Sequence, residues 1–214
     1  MTSTDALILT LSTNLGPVRR RSVSREIGAL VVLAAGELAL ILMAGGMRPD
    51  MGGVILAPFM AWKIGGLALL AGVSCAVAIR SFAPPAASRR DLVYALVLTV
   101  FVMAAGLFVT TAAESGQPLI ERLSPARGLG CATAIVVLAL PLMSLLAVLM
   151  RRAAPVHPKR SALASGLAAA TSGALVFTVC CPANDPLYIV VWYSAGIAAV
   201  AAAARWLLPR GYRL

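Results

Sequence analysis

Residues 129–150 read LGCATAIVVLALPLMSLLAVLM, a run of 22 residues without a charged side chain. A helix rises about 1.5 Å per residue, so about 20 apolar residues are enough to cross the hydrocarbon core of a bilayer. Five other apolar runs of similar length occur along the chain. The predicted spans are 27–46, 56–79, 92–112, 129–150, 161–181 and 187–208. The sequence therefore predicts six transmembrane helices.

The composition of the whole chain agrees with that interpretation. Hydrophobic residues make up 60% of the 214 residues and charged residues 12%, which is outside the usual range of soluble domains. The spans must be helices, because backbone polar groups exposed to hydrocarbon have no other partners. The connecting segments are too short to hold a core of their own. The predicted fold class is an all-α polytopic membrane protein with one six-helix domain over residues 27–208.

Basic residues are distributed unequally between the two sides of the predicted bundle. The net charge is +10, and fourteen of the 18 Lys and Arg residues fall on one side. They lie in residues 1–26, 80–91, 151–160 and 205–214. Loops rich in Lys and Arg stay in the cytoplasm. We therefore expect an N-in/C-in topology, with segment 1–26 and the basic tail 209–214 both cytoplasmic. Orientation explains the charge without direct binding to nucleic acid.

The N-terminal segment contains a short amphipathic pattern. Its apolar positions recur at helical spacing and are Leu7, Ile8, Leu11 and Leu15. Three basic residues follow, namely Arg19, Arg20 and Arg21. Such a helix either lies on the membrane surface as an anchor or docks in the groove of a soluble partner. The pattern alone leaves both interpretations open.

Two ionisable residues lie inside predicted spans, where charge is costly and is usually paired or functional. Glu37 in the first span and Lys63 in the second lie at similar depths. We expect them to form an intramembrane ion pair. The alternatives are a protonated Glu37 with Lys63 extended toward the interface, and an ion or proton pathway.

Four cysteines are placed unevenly. Cys75 is in the middle of the second span, Cys131 opens the fourth, and Cys180 and Cys181 close the fifth. Three of them are on the side opposite the basic loops, where a bacterial periplasm would permit a disulfide. Cys131 and Cys181 are candidates for a disulfide or for transient binding of a soft metal ion through two thiolates. The alternative is that these thiols serve as small apolar residues at helix ends.

The sequence carries no signature of an enzyme. It has no CxxC motif and no phosphate-binding glycine loop, and its single histidine, His157, is on the basic side. We therefore predict that the protein is not an enzyme and holds no resident cofactor. A transporter or efflux subunit is the alternative function, and a membrane thiol oxidoreductase is the third.

A signature in the last third of the chain points to a known family. It is CPANDPLY at 181–188, followed by WY at 192–193. Other landmarks follow in order along nearly the whole chain: Gly16-Pro17, Arg48-Pro49-Asp50, Trp62-Lys63, Cys131 with Pro141, and Ala154-Pro155 with Gly166. The set resembles the NrsF-type integral membrane anti-sigma factors. Asn184 is a departure, because the family often has an acid at this position.

The resemblance implies a negative regulator in the bacterial inner membrane. Its partners would be an extracytoplasmic-function (ECF) sigma factor and the surrounding membrane lipid. The helix with Leu7, Ile8, Leu11 and Leu15, together with Arg19, Arg20 and Arg21, would hold the sigma factor. Cys131 and Cys181 would sense an envelope, heavy-metal or thiol-oxidant stress. Segments 1–26, 80–91 and 151–160 would transmit the signal.

Overall fold

A computed structural model describes residues 3–13, 22–83, 89–109 and 122–212. These residues are mostly helical, and no β-strand occurs among them. The helices are α1 (Ser3–Thr13), α2 (Val23–Met43), α3 (Met51–Val54), α4 (Pro58–Ser81), α5 (Arg89–Ala105), α6 (Pro125–Ala153), α7 (Pro158–Thr178) and α8 (Pro186–Leu207). Short 3-10 turns at Gly106–Phe108 and Leu208–Tyr212 extend α5 and α8.

Six of these helices are long and apolar enough to cross a membrane, namely α2, α4, α5, α6, α7 and α8. The predicted all-α fold with six such helices is therefore confirmed for the described residues. Four of the six begin at a proline, which favours the first helical position because its fixed φ suits a helix and no N–H is lost there. Helix α6 is longer than the predicted span 129–150 and continues through Pro141.

Helix α7 is the centre of the bundle. It contacts α4, α6 and α8, and 83% of its most apolar stretch is buried inside the protein. Small residues permit this close packing. A Cβ on Gly173 would lie 2.9 Å from the backbone nitrogen of Ala139 on α6, and one on Gly166 would lie 2.9 Å from Cα of Ala201 on α8. Helix α7, which corresponds to the predicted fifth span, therefore lies inside the bundle.

The alternating helices give the bundle two different ends. One end, called the cysteine end, has the last residues of α2 and α7 and the first residues of α4, α6 and α8. The opposite end, called the basic end, has the last residues of α4 and the first of α7, where the Ser161 hydroxyl donates to the Ser81 carbonyl at 3.1 Å. Residues 80–83, 89–91 and 151–160 therefore share the basic end.

Helix α2 is the most loosely packed of the six. Only 6% of its apolar stretch is buried, and Leu30 is its one buried residue. An apolar cavity of about 510 Å³ lies between α2 and the helices α4, α6 and α7. The position of α2 therefore depends on contacts made beyond its ends.

Candidate functional site

Cys131 and Cys181 meet at the cysteine end. Cys131 lies in the second turn of α6, and Cys181 lies three residues after the end of α7. Their thiols are close enough to hydrogen bond, and Cys131 Sγ also lies 3.2 Å from Tyr188 Oη. All four cysteines carry free thiols, and Cys75 is far along α4, beside Ser172. The fold brings together the two cysteines selected from the sequence, in their reduced form.

Cys181 is fully buried. A hydrogen bond from the Cys131 thiol holds the pKa of the Cys181 thiol well below its usual range, and the positive charge of Lys63 acts in the same direction, against the effect of burial. Cys180 has no such support, and burial raises its pKa. A thiolate is the form of cysteine that reacts with oxidants and soft metals. The chemistry therefore favours Cys181 over Cys180.

Lys63 is a buried cation beside Cys181. Its side chain is 1% exposed, its Nζ donates to the Ala183 carbonyl at 3.4 Å, and it lies 5.5 Å from the centroid of the Tyr193 ring. Among the described residues no carboxylate forms a salt bridge with it. The acidic group beside it is the thiol of Cys181. We call Cys131, Cys181, Lys63 and Tyr188 the cysteine site.

The predicted ion pair between Glu37 and Lys63 is wrong. Glu37 Oε1 is buried on α2 without a hydrogen-bond partner, whereas the Lys63 ammonium points to the segment after α7. The prediction assumed that consecutive helices pack against each other. Instead α4 packs mainly on α7 and α2 mainly on α6, so equal depth in the bundle does not bring the two side chains together.

Arg48 joins the segment after α2 to the segment after α7. Its Nη1 donates to Asn184 Oδ1 at 2.9 Å and to the Cys181 carbonyl at 3.4 Å. Its Nε and Nη2 donate to the Asp50 carboxylate at 2.6 and 2.5 Å, and its backbone N–H donates to the Val179 carbonyl at 3.2 Å. The side chain is 3% exposed. We call these contacts the Arg48 latch.

A second set of contacts closes the cysteine end from the other side. Both oxygens of Asp185 accept hydrogen bonds of 2.8 Å from Arg122, and one also accepts from the Leu187 N–H at 2.9 Å, which caps α8. Burial opposes the charge, but these donors lower the pKa of the Asp185 carboxyl. Trp192 Nε1 donates to the Leu123 carbonyl at 2.8 Å. The segment before α6 is thus fastened to the start of α8.

The latch and the Arg122 contacts were missed by the sequence analysis, although a signal for both was present. Arg48 and Arg122 lie on the side that is poor in basic residues. Basic residues that depart from the orientation pattern need another reason to be there. Each is here paired with an acid of the same side, Asp50 or Asp185.

The described residues contain no group of three or more His, Cys, Asp and Glu side chains that would hold a metal ion. The cysteine pair offers two sulfur ligands, which suit soft metals. A structural zinc site needs four ligands. The two sulfur atoms are therefore the potential soft-metal ligands that the described part of this site offers.

The N-terminal helix is present at 3–13, and the side chains of Leu7 and Ile8 are exposed on it. The other residues assigned to the docking segment lie outside the description. They are the side chain of Leu11 and the residues Leu15, Arg19, Arg20 and Arg21.

Fold and site together define a class of helical protein with six apolar helices long enough to cross a membrane, two free cysteines close together at one end and an exposed N-terminal helix. The family model described as "Negative regulator of sigma F" (NrsF) matches residues 11–213, and the chain belongs to this family. The resemblance inferred from the signature at 181–188 is confirmed.

Two relatives align with this chain over most of its length. The chain is 30% identical over 212 residues to the anti-sigma-F factor NrsF of Caulobacter vibrioides (strain NA1000 / CB15N), which covers 96% of this chain and 98% of that protein. It is 29% identical over 199 residues to the probable anti-sigma-F factor NrsF of Azospira oryzae, covering 91% of each. No solved structure matches.

Proposed function

We propose that this protein is an anti-sigma factor of the bacterial inner membrane that sequesters an ECF sigma factor and releases it when the cysteine site reacts. Family membership and the names of both relatives support the regulatory role. The observation that carries the proposal is the Arg48 latch, because it connects the cysteine pair directly to the helix that follows the N-terminal segment.

The proposed orientation follows from the basic end of the bundle. Loops rich in Lys and Arg are retained in the cytoplasm. Helix α1 and the segments 80–91 and 151–160 would then face the cytoplasm, where a sigma factor is found. The cysteine site would face the periplasm, where oxidants and metal ions arrive first.

The proposed signal is a change at the two sulfur atoms. With a thiol oxidant, the Cys131 thiol and the Cys181 thiolate lose one proton and two electrons and form one S–S bond, and the oxidant takes up the two electrons. With a soft metal ion, the thiolates become ligands and the remaining thiol proton is released to solvent. Either product removes the free thiolate that compensates Lys63, and it ties the segment after α7 to α6.

The proposed response is a displacement of α2. The segment that carries Cys181 also provides the Val179 and Cys181 carbonyls and the Asn184 oxygen that hold Arg48. A change in that segment weakens the latch. Because α2 buries little surface within the bundle, few other contacts resist its movement. The displacement reaches the N-terminal segment through α2 itself.

The proposed sigma-binding surface is the N-terminal segment. Exposed Leu7 and Ile8 on α1 provide an apolar face that suits a groove on a partner. The basic residues Arg19, Arg20 and Arg21 would add attraction to an acidic surface. In the resting state this segment masks the sigma factor, and the movement of α2 withdraws it.

Co-purification tests the proposal. The tagged full-length protein is isolated from membranes of its own bacterium with and without a thiol oxidant. We expect an ECF sigma factor to be retained by the untreated protein and released after oxidation. Deletion of residues 2–16 should abolish retention while the protein stays in the membrane. Retention of the sigma factor by that deletion variant would show that the N-terminal helix is not the binding surface.

A further inference from the structure

A concave basic surface lies at the basic end of the bundle, opposite the cysteine site. A cavity of about 310 Å³ separates the first turn of α7 from the end of α8 and the turn that follows it. Its lining residues are Lys159, Arg205, Trp206, Pro209 and Arg210. Two helices that pack along the centre of the bundle therefore diverge here and leave a cavity between their ends.

The described lining of this cavity is positively charged. Three of its five lining residues are cations, and none is an acid. The cavity also adjoins the N-terminus of α7, where His157 makes no side-chain cap and the helix dipole adds partial positive charge. Cations gathered around a concave surface attract an anion more strongly than the same cations spread over a flat one.

The position of the cavity along α8 limits which anion can bind in it. Arg205 and Trp206 belong to the last turn of α8, directly after the apolar stretch that ends at Ala204. Trp206 is 66% exposed. Tryptophan is enriched at the level of lipid headgroups, and basic side chains at helix ends extend to the same level. At this level of α8, a ligand in the cavity would lie in the headgroup layer.

We propose that this cavity binds the headgroup of an anionic phospholipid, with Lys159, Arg205 and Arg210 around its phosphate. Three cations suit a headgroup with two phosphates, such as that of a cardiolipin-type lipid, better than one with a single phosphate. Basic pockets between transmembrane helices bind the headgroups of such lipids through electrostatic attraction. The Trp206 ring lies beside the lipid at the glycerol level. The bound headgroup joins the ends of α7 and α8, the central pair of the bundle.

Native mass spectrometry of the full-length protein tests this inference. Purified protein is mixed with cardiolipin, phosphatidylglycerol or phosphatidylcholine, and the bound fraction is measured for each lipid. The test variant carries Arg205→Gln and Arg210→Gln. The matched control carries Arg151→Gln and Arg152→Gln, two basic residues at the same end that do not line the cavity. Arg210→Gln alone serves as a second variant if the double change prevents folding.

We expect the unchanged protein to prefer cardiolipin over phosphatidylcholine by at least about tenfold, and the Arg205/Arg210 variant to lose that preference while the control keeps it. Cardiolipin should also raise the thermal midpoint of the unchanged protein more than that of the test variant. Equal loss in both variants overturns a specific site. Displacement of the lipid by millimolar inorganic phosphate identifies a free-anion site and overturns the lipid assignment. If the Arg205/Arg210 variant loses sigma factor capture but still binds lipid, the lipid assignment is also overturned, in favour of a protein-binding surface.

Discussion

The guanidinium of Arg48 donates a hydrogen bond of 2.9 Å to the side-chain oxygen of Asn184, which links the segment after α2 to the segment after α7. The two residues are 136 positions apart in the chain. The same guanidinium reaches the carbonyl of Cys181. Asn184 therefore presents an uncharged acceptor to Arg48.

Replacing Arg48 is expected to release the sigma factor without any stimulus. Arg48→Gln removes a buried, charged donor from Asn184 and from the Cys181 carbonyl, and hydrogen bonds to charged groups contribute about 1.5–3 kcal/mol. Uninduced activity of a sigma-dependent reporter should rise at least about tenfold. Asp50→Asn is the matched control, because Asp50 is the exposed partner of the same arginine and removing its charge leaves the hydrogen bonds of Arg48 to the segment after α7 in place. Equal activation by both variants would contradict the latch.

The cysteine pair is expected to be required for induction. Cys131→Ser and Cys181→Ser, alone or together, remove the second sulfur that a disulfide or a two-thiolate site needs. Reporter induction by a soft metal ion or a thiol oxidant should fall to the uninduced level. Cys180→Ser is the control and should respond normally, since its thiol lies outside the pair. A full response of the double variant would falsify the role of these thiols.

The sequence was sufficient to predict the spans but not to predict which helices pack against each other. Length and apolarity are local properties, so the run at 129–150 is enough to identify its helix. The order of the spans also determines at which end of the bundle a residue lies. It placed Cys131 and Cys181 at the same end. Contacts between helices are not local. The pairing of Glu37 with Lys63 failed because α7 lies at the centre of the bundle, and α2 and α4 pack on other helices.

The contacts between the connecting segments could not be predicted from the sequence, for a related reason. Whether Arg48 reaches Asn184 depends on how the segments after α2 and after α7 fold over the bundle. Neither segment has a periodic pattern that would predict its path. Within the segment 181–188, the Cys181 carbonyl and the Asn184 side chain both accept from Arg48, whereas Asp185 accepts from Arg122.

The close approach of α7 to its neighbours predicts a stability difference between two glycines. Gly173→Ala places a Cβ about 3 Å from the backbone of α6, so one helix must shift, and overpacking of this kind costs about 1–3 kcal/mol. Gly72→Ala on α4 is the control, because a Cβ there meets nothing within 4 Å. Thermal unfolding in detergent should show a lower midpoint for Gly173→Ala only. Equal midpoints would indicate that α7 is less tightly packed than described.

Lys63 is expected to set the reactivity of Cys181. The pKa of the Cys181 thiol is lowered by the hydrogen bond from Cys131 and by the charge of Lys63, so the thiolate persists at pH values where a free cysteine is protonated. Lys63→Met keeps a long side chain but removes the charge, which raises the pKa of Cys181. The alkylation rate of Cys181 is followed by mass spectrometry of its peptide. The pH at which this rate rises should be higher in the variant than in the unchanged protein.

The direction of that shift separates an electrostatic role from a packing role. Loss of packing alone would admit water and reagent and would speed alkylation at every pH, whereas loss of the charge slows it near pH 7 and leaves the rate at high pH unchanged. Lys63→Arg retains the charge and should restore part of the low-pH reactivity, although its bulkier group must fit where Nζ now lies 5.5 Å from the Tyr193 ring centroid. A pH profile that is the same for Lys63→Met and the unchanged protein would remove Lys63 from the cysteine site and leave the Cys131 thiol as the group that activates Cys181.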